Sequence, residues 1–272
     1  MALMGPDGAL SKGVAEFFAM LLFVFIGCGT AMTPTRTVFQ IALAFGMGIV
    51  ILAYSIGAKT GGHVNCAVTT ALMVAGKCAP LDGIVIIIFQ LLGSFVGAAL
   101  LAATIPSDMD ATKCFATNQV ATGFSNGNAF CGEFFFTFLL LFVVFHTAVH
   151  ERYRNGVNNA APLAIGMAVF CAHCVLIPID GCSINPTRSF GPAILASIRT
   201  MDGTAARDGG SDGCDQWKDF WIFVVAPEAA AIFAGLMYRF WWSKDEVEEH
   251  EPGHRDPTKM SPRHGDAQEA GM

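Results

Sequence analysis

Two stretches of the chain hold the side chains best able to do chemistry. One is Gly61-Gly62-His63-Val64-Asn65-Cys66-Ala67, and the other is Gly181-Cys182-Ser183-Ile184-Asn185-Pro186-Thr187-Arg188. In each, a Gly-containing loop leads to an Asn standing where a helix N-cap belongs. The carboxamides of Asn65 and Asn185 can donate to a small polar molecule. The irregular backbone of Gly61, Gly62, His63 and Val64, and of Gly181, Ser183 and Ile184, offers carbonyl acceptors in a row. Arg188 adds a cation that cannot lose its charge. These groups can bind and pass on a small neutral solute. They include no nucleophile with a base and no metal-ligand set, so nothing in the pattern indicates an enzyme or a cofactor.

These residues need elements to position them. Six apolar stretches, at about 14–32, 38–57, 82–104, 129–149, 160–179 and 218–240, are long enough to cross a bilayer, which takes about 20 helical residues. Two further segments, about 66–76 and 186–198, are half that length and begin at the two Asn residues. Half-spans are tolerated only where protein buries them or where they line a wet cavity. The expected fold is therefore an all-α membrane protein of six transmembrane helices and two re-entrant half-helices. An Arg at membrane depth, such as Arg188, is costly and usually functional.

The halves repeat. Leu43-Ala44-Phe45-Gly46-Met47 matches Leu163-Ala164-Ile165-Gly166-Met167 at an offset of 120, which also relates Gly61 to Gly181 and Asn65 to Asn185. Glu16-Phe17-Phe18 matches Glu133-Phe134-Phe135 at 117. Three spans per half make the second half enter the membrane upside down. In such an inverted repeat a site is expected near the midplane, where the broken helices meet. Two helix amino ends meeting there would raise the cost for a cation. Polar donors and acceptors facing apolar side chains suit single-file water.

Composition agrees. Of 272 residues, 53% are apolar and 14% charged, too few charges to cover a soluble surface of this size. The net charge of −6 gathers at 202–219 and 245–269, and no basic stripe with interleaved aromatics speaks for nucleic acid. The nine Cys show no zinc spacing, and Cys171 and Cys174 read as small helix-packing residues. Residues 1–13 are too short and polar for a cleaved signal, so the first apolar segment should remain as a span.

With the amino terminus in the cytosol, Lys12, Lys59, Lys77, Arg152, Arg154, Arg239, Lys244, Arg255, Lys259 and Arg263 fall inside. Arg36, Lys113, Arg199, Arg207 and Lys218 fall outside, which favours cytosolic termini. Arg239 should snorkel to the interface. The domain division is a cytosolic segment 1–13, a channel unit 14–241 (repeats about 14–104 and 129–241) and a disordered cytosolic tail 242–272.

Over nearly all of 14–241 the sequence resembles the aquaporin family. The family's paired Asn-Pro-Ala boxes correspond to Asn65-Cys66-Ala67 and Asn185-Pro186-Thr187. The resemblance implies a passive channel, a homotetramer with one pore per subunit, and a multi-pass place in the plasma membrane or in a vacuolar or other internal membrane. It implies a selectivity filter of Phe45, His173, Cys182 and Arg188, a set similar to that of water-selective members. By resemblance Glu16 and Glu133 brace the re-entrant loops; the alternative is interfacial carboxylates at helix amino ends. The main expectation is osmotically driven water flow that excludes ions and protons. The alternatives are a broader pore for glycerol, urea, ammonia or peroxide, or a structural or adhesive membrane protein.

Some residues depart from the family pattern. Cys66 replaces a Pro and loses its preorganised φ. Thr187 replaces an Ala, and its hydroxyl must find a backbone carbonyl or narrow the pore. Val224 stands where water-selective relatives commonly have Trp. Glu228 sits within the sixth span, facing a polar pocket or snorkelling. Cys182 should make flow sensitive to mercurials, with residual sensitivity at Cys66. Cys114 and Cys214 are either a disulfide or two free thiols. His146 and His150 are either a pH gate beside Glu151, Arg152 and Arg154, or interfacial histidines.

Overall fold

The structure is a computed structural model and describes residues 8–150, 160–201 and 214–243. Among these, six helices are long and apolar enough to cross a membrane. In chain order the helices are α1 (Ala9–Met32), α2 (Val38–Thr60), α3 (Cys66–Val74), α4 (Pro80–Thr104), α5 (Asn126–Val144), α6 (Ala161–Asp180), α7 (Pro186–Met201) and α8 (Ile222–Met237). Phe145–Val149 and Tyr238–Trp242 extend α5 and α8 as π-turns, and Ser107–Met109 forms a 3₁₀ turn. The expected spans are all present, and α3 and α7 are the two short helices.

Local chemistry sets many of the boundaries. Thr37 with Gln40, and Ser125 with Asn128, form reciprocal capping boxes that start α2 and α5. Pro80 opens α4, where a missing N–H costs nothing. Gly61 and Gly181 end α2 and α6 in the left-handed region, at φ 92° and 83°. The last long helix begins at Ile222 rather than 218. Residues 217–221 are held in turns, where Asp219 accepts from the backbone of Ile222 and Val120.

Packing follows the repeat. α1 packs on α4, matched by α5 on α8, and α3 packs on α8, matched by α7 on α4. α2 packs on α6, its own counterpart, across the pseudo-twofold. At that crossing Gly46 and Gly166 lie against each other. A Cβ on Gly46 would stand 2.8 Å from the Gly166 carbonyl oxygen, and one on Gly166 would stand 2.5 Å from that of Gly46. Two backbones can approach this closely only where side chains are missing.

The outer loops are tied down. Cys114 and Cys214 form a disulfide linking residues 100 apart. At the same end Arg36 donates to the Ala111 carbonyl and Arg199 lies 3.8 Å from Asp110. At the opposite end Lys12 pairs with Asp82 at 2.6 Å, partly exposed. Arg239 does more than snorkel there: it reaches the Val74 carbonyl at the carboxyl end of α3 at 3.4 Å. Cys171 is exposed and Cys174 half-buried on α6, on the face that carries exposed Met167 and Val175. Residues 151–159 and 244–272 lie outside the described residues, and with them the charges at 151, 152 and 154 and nearly all of the tail.

Candidate functional site

The two Asn segments meet tip to tip in the middle of the bundle. Asn65 Nδ2 donates to the Ile184 carbonyl and Asn185 Nδ2 to the Val64 carbonyl, each at 2.8 Å. Each Asn also caps its helix: Asn65 Oδ1 accepts from Ala67 N at 2.8 Å, and Asn185 Oδ1 from Arg188 N at 3.1 Å. The carbonyls that receive these bonds come from strained residues. Val64 and Ile184 have φ of 45° and 44°, where a β-branched residue is an outlier.

Two buried carboxylates hold that strain. Glu16 accepts from His63 N at 2.9 Å and Val64 N at 2.7 Å, and also from Thr60 Oγ1 and Gln90 Nε2. Glu133 accepts from Ser183 N and Ile184 N, both at 2.6 Å. The bonds are repeat-related, since 63 and 64 correspond to 183 and 184. A carboxylate is acceptor-only, so it can take two adjacent N–H groups that no helix or sheet would satisfy. Side chains repeat the pattern: His63 pairs with Thr69 at 3.0 Å, and Ser183 with Ser189 at 2.7 Å.

Phe45, His173 and Arg188 lie in one stack, all buried. The Phe45 and His173 rings are 4.3 Å apart and nearly parallel, and the Arg188 guanidinium carbon is 5.0 Å above the Phe45 ring. Phe45 also meets Phe23 edge-on, and its ring fills the space a side chain at Gly27 would occupy. His173 Nδ1 donates to the Val169 carbonyl at 2.8 Å, which leaves Nε2 as the ring nitrogen not used within the helix. His173 Nε2 and Arg188 Nε are buried without a partner among the described residues. Arg188 Nη1 donates to Ala116 O and Asn118 Oδ1 of the 105–125 loop. Cys182, the fourth residue of the set, is fully buried, with its N–H on Asp180 Oδ1.

Cavities end on both sides of this stack. One of about 390 Å³ runs past Lys77, Leu72, Val68, Asn65 and Asn185 to His173. Another, of about 620 Å³, opens at the disulfide end and reaches Arg188, Asp180 and Gly181. The arrangement is a passage lined on one side by carbonyls and carboxamides and on the other by Phe23, Ile49, Leu140, Val144 and Val169. Between the two cavities the Phe45 ring stacks on His173 and carries the Arg188 guanidinium over its face.

A family model described as "Major intrinsic protein" matches residues 7–238. The chain belongs to the major intrinsic protein family. It is 34% identical to human aquaporin-5 over 227 residues, covering 82% of this chain and 78% of that one. It is 35% identical to human aquaporin-2 over 237 residues, covering 85% and 79%. It is 31% identical to aquaporin FA-CHIP of Pelophylax lessonae over 275 residues, covering 91% and 93%. In fold it is similar to the aquaglyceroporin from Plasmodium falciparum, with a TM-score of 0.75 and 20% identity over 89% of this chain and all of that one. Membership in the major intrinsic protein family makes this chain a channel-family, multi-pass integral membrane protein.

Several contacting residues of this major intrinsic protein were not singled out from the sequence. Gln90 and Ser94 interrupt an apolar span, a signal that was present; they serve Glu16 and Gly191 N. Asn118 and Ala116 sit in an irregular loop with nothing to mark them. Glu228 settles as a partner for Cys66, whose Sγ donates to Glu228 Oε1 at 3.3 Å. The Cys66 thiol therefore turns toward α8, and Cys66 is not among the residues lining the passage described above. The Thr187 hydroxyl finds a side chain rather than a carbonyl: it donates to Asn185 Oδ1 at 2.6 Å. His146 packs against Phe142 and Trp242, and His150 is buried.

Proposed function

We propose that this protein is a passive water channel driven by osmotic gradients, with Phe45, His173, Cys182 and Arg188 as its selectivity filter. The observation that carries this reading is the packing of both His173 and Arg188 against the Phe45 ring between two cavities. A small movement of one ring admits a single water. A solute with a carbon skeleton needs a ring removed. His173 Nε2 and Arg188 Nε, both without a partner among the described residues, would bond that water in turn. Below the filter, Asn65 and Asn185 form the second constriction, with Cys66, Ala67, Pro186 and Thr187 as the starts of the half-helices that carry them, the Cys66 thiol turned away toward α8. There two helix amino ends oppose cations, and the carboxamides donate to the water oxygen. Relatives named as aquaporins support the same reading.

The channel unit in this proposal is 14–241, assembled as a homotetramer with a pore in each protomer. The disulfide end faces the oxidising side of the membrane. The start of α1 and the end of α8 lie at the opposite end, which in this reading is the cytosolic side of a plasma membrane. Reconstituted protein should shrink vesicles rapidly under sucrose shock, while glycerol stays excluded. In the same assay His173→Gly should admit glycerol with water flow retained. Vesicles that shrink no faster than empty ones would end the channel proposal; wild-type glycerol flux equal to that of His173→Gly would end strict water selectivity.

A further inference from the structure

The two half-helix tips are related by the repeat but are not chemically alike, and the difference is paired across their junction. α7 starts with Pro186, which has no N–H; the repeat-related Cys66 has one. That N–H is one of the donors a helix start leaves without an intrahelical partner. It is buried, and the Asn65 carboxamide oxygen already serves Ala67 N. Cys66 N donates instead across the junction to Thr187 Oγ1 at 3.3 Å. The counterpart of Thr187 is Ala67, which offers no acceptor. One related pair, Cys66 and Thr187, has donor and acceptor; the other, Pro186 and Ala67, has neither.

The hydroxyl has one proton, and it goes to Asn185 Oδ1 at 2.6 Å, which leaves a lone pair for Cys66 N–H. The carboxamide of Asn185 is thereby held with its oxygen toward Thr187 and Arg188 N, and its Nδ2 toward Val64 O and the passage. Cys66 Sγ bonds to Glu228 on α8, so the side chain takes no part in the junction itself.

We propose that Thr187 is a positioning residue for pore selectivity and that Cys66 and Thr187 act as one unit, exchangeable only together for Pro and Ala. Thr187 joins the two tips by accepting from Cys66 N, and adds a third bond to the two that orient the Asn185 amide. This rests on the water-channel reading above.

The test uses full-length protein in liposomes, with Thr187→Ala, Thr187→Val, Thr187→Ser, Cys66→Pro and Cys66→Pro/Thr187→Ala beside the wild type. Osmotic water permeability per protomer and passive proton leak are both read. Thr187→Ala and Thr187→Val should lose permeability several-fold and leak protons faster, chiefly because Cys66 N–H is orphaned at the junction, while Asn185 keeps its bonds to Arg188 N and Val64 O. Thr187→Ser, which keeps the hydroxyl, should avoid most of the loss seen in Thr187→Ala, and the double variant should recover most of it. A Thr187→Ala channel that matches wild type, or a double variant as impaired as Thr187→Ala alone, overturns the pairing. Where Thr187→Ala does not accumulate, Thr187→Val in the Cys66→Pro background replaces it; recovered conduction supports the pairing and continued loss overturns it. Wild-type vesicles without osmotic flux would sink the channel reading instead. Non-additive unfolding midpoints across the same variants would then still decide the pairing.

Discussion

At the scale of single residues, the carboxylates do what the asparagines cannot do alone. Val64 and Ile184 sit at positive φ, a cost of about 1–3 kcal/mol each, and the backbone stays there because Glu16 and Glu133 take the N–H groups that this conformation leaves over. Glu133→Gln keeps the shape but offers one acceptor where two are used. It leaves a buried N–H facing an NH₂, a penalty of about 1–3 kcal/mol. We expect a lower unfolding midpoint and several-fold slower osmotic shrinkage; a Gln variant equal to wild type in both would show that the brace is not needed. Glu133 could be picked out from the sequence by its match to Glu16. Its partners could not, because a carboxylate in an apolar span is compatible with a brace or with an interfacial position. Only three-dimensional proximity to 183 and 184, some 50 residues on, decides between them.

At the scale of elements, the controlling contact is the crossing of α2 and α6. The order of spans and half-spans was readable because membrane helices must satisfy their backbones internally and so announce themselves by length. The crossing was less readable: Gly46 and Gly166 appeared as matched letters in a repeat, not as neighbours. Their mutual approach places Phe45 and His173, one on each helix, within stacking distance. Gly46→Val should force the helices apart, since even a Cβ would lie 2.8 Å from Gly166 O and Phe170 Cβ. Overpacking of this kind costs about 1–3 kcal/mol. The expected result is a less monodisperse detergent-solubilised protein with a depressed unfolding midpoint, and with more glycerol leak if it inserts. A Gly46→Val protein as stable and selective as wild type would remove the crossing from the account.

At the scale of the whole molecule, the disulfide ties the loop that supplies Ala116 and Asn118 to the segment leading into α8. Closing a loop of this length is worth up to about 5 kcal/mol in chain entropy. The real figure is smaller here, because helices that remain in the bilayer already restrict the unfolded chain. Cys114→Ser/Cys214→Ser should lower the unfolding midpoint and loosen the Arg188 contacts, raising cation leak more than it changes water flow. Reductant should reproduce the effect in wild type and leave the double variant unchanged. Equal midpoints with and without reductant would contradict a stabilising role.

The class of structure and its duplication were legible along the chain: apolar length, two half-length segments behind Asn residues, and a common offset of 120 leave few alternatives for a chain that must satisfy its backbone in lipid. The sequence also marked Arg188, since a cation at that depth has little other reason to persist. The tertiary structure decided what the departures mean. Cys66, Thr187 and Glu228 are separate oddities along the chain and a connected set of hydrogen bonds in space. Donor and acceptor count is a property of contacts between segments more than a hundred residues apart, which no local pattern encodes.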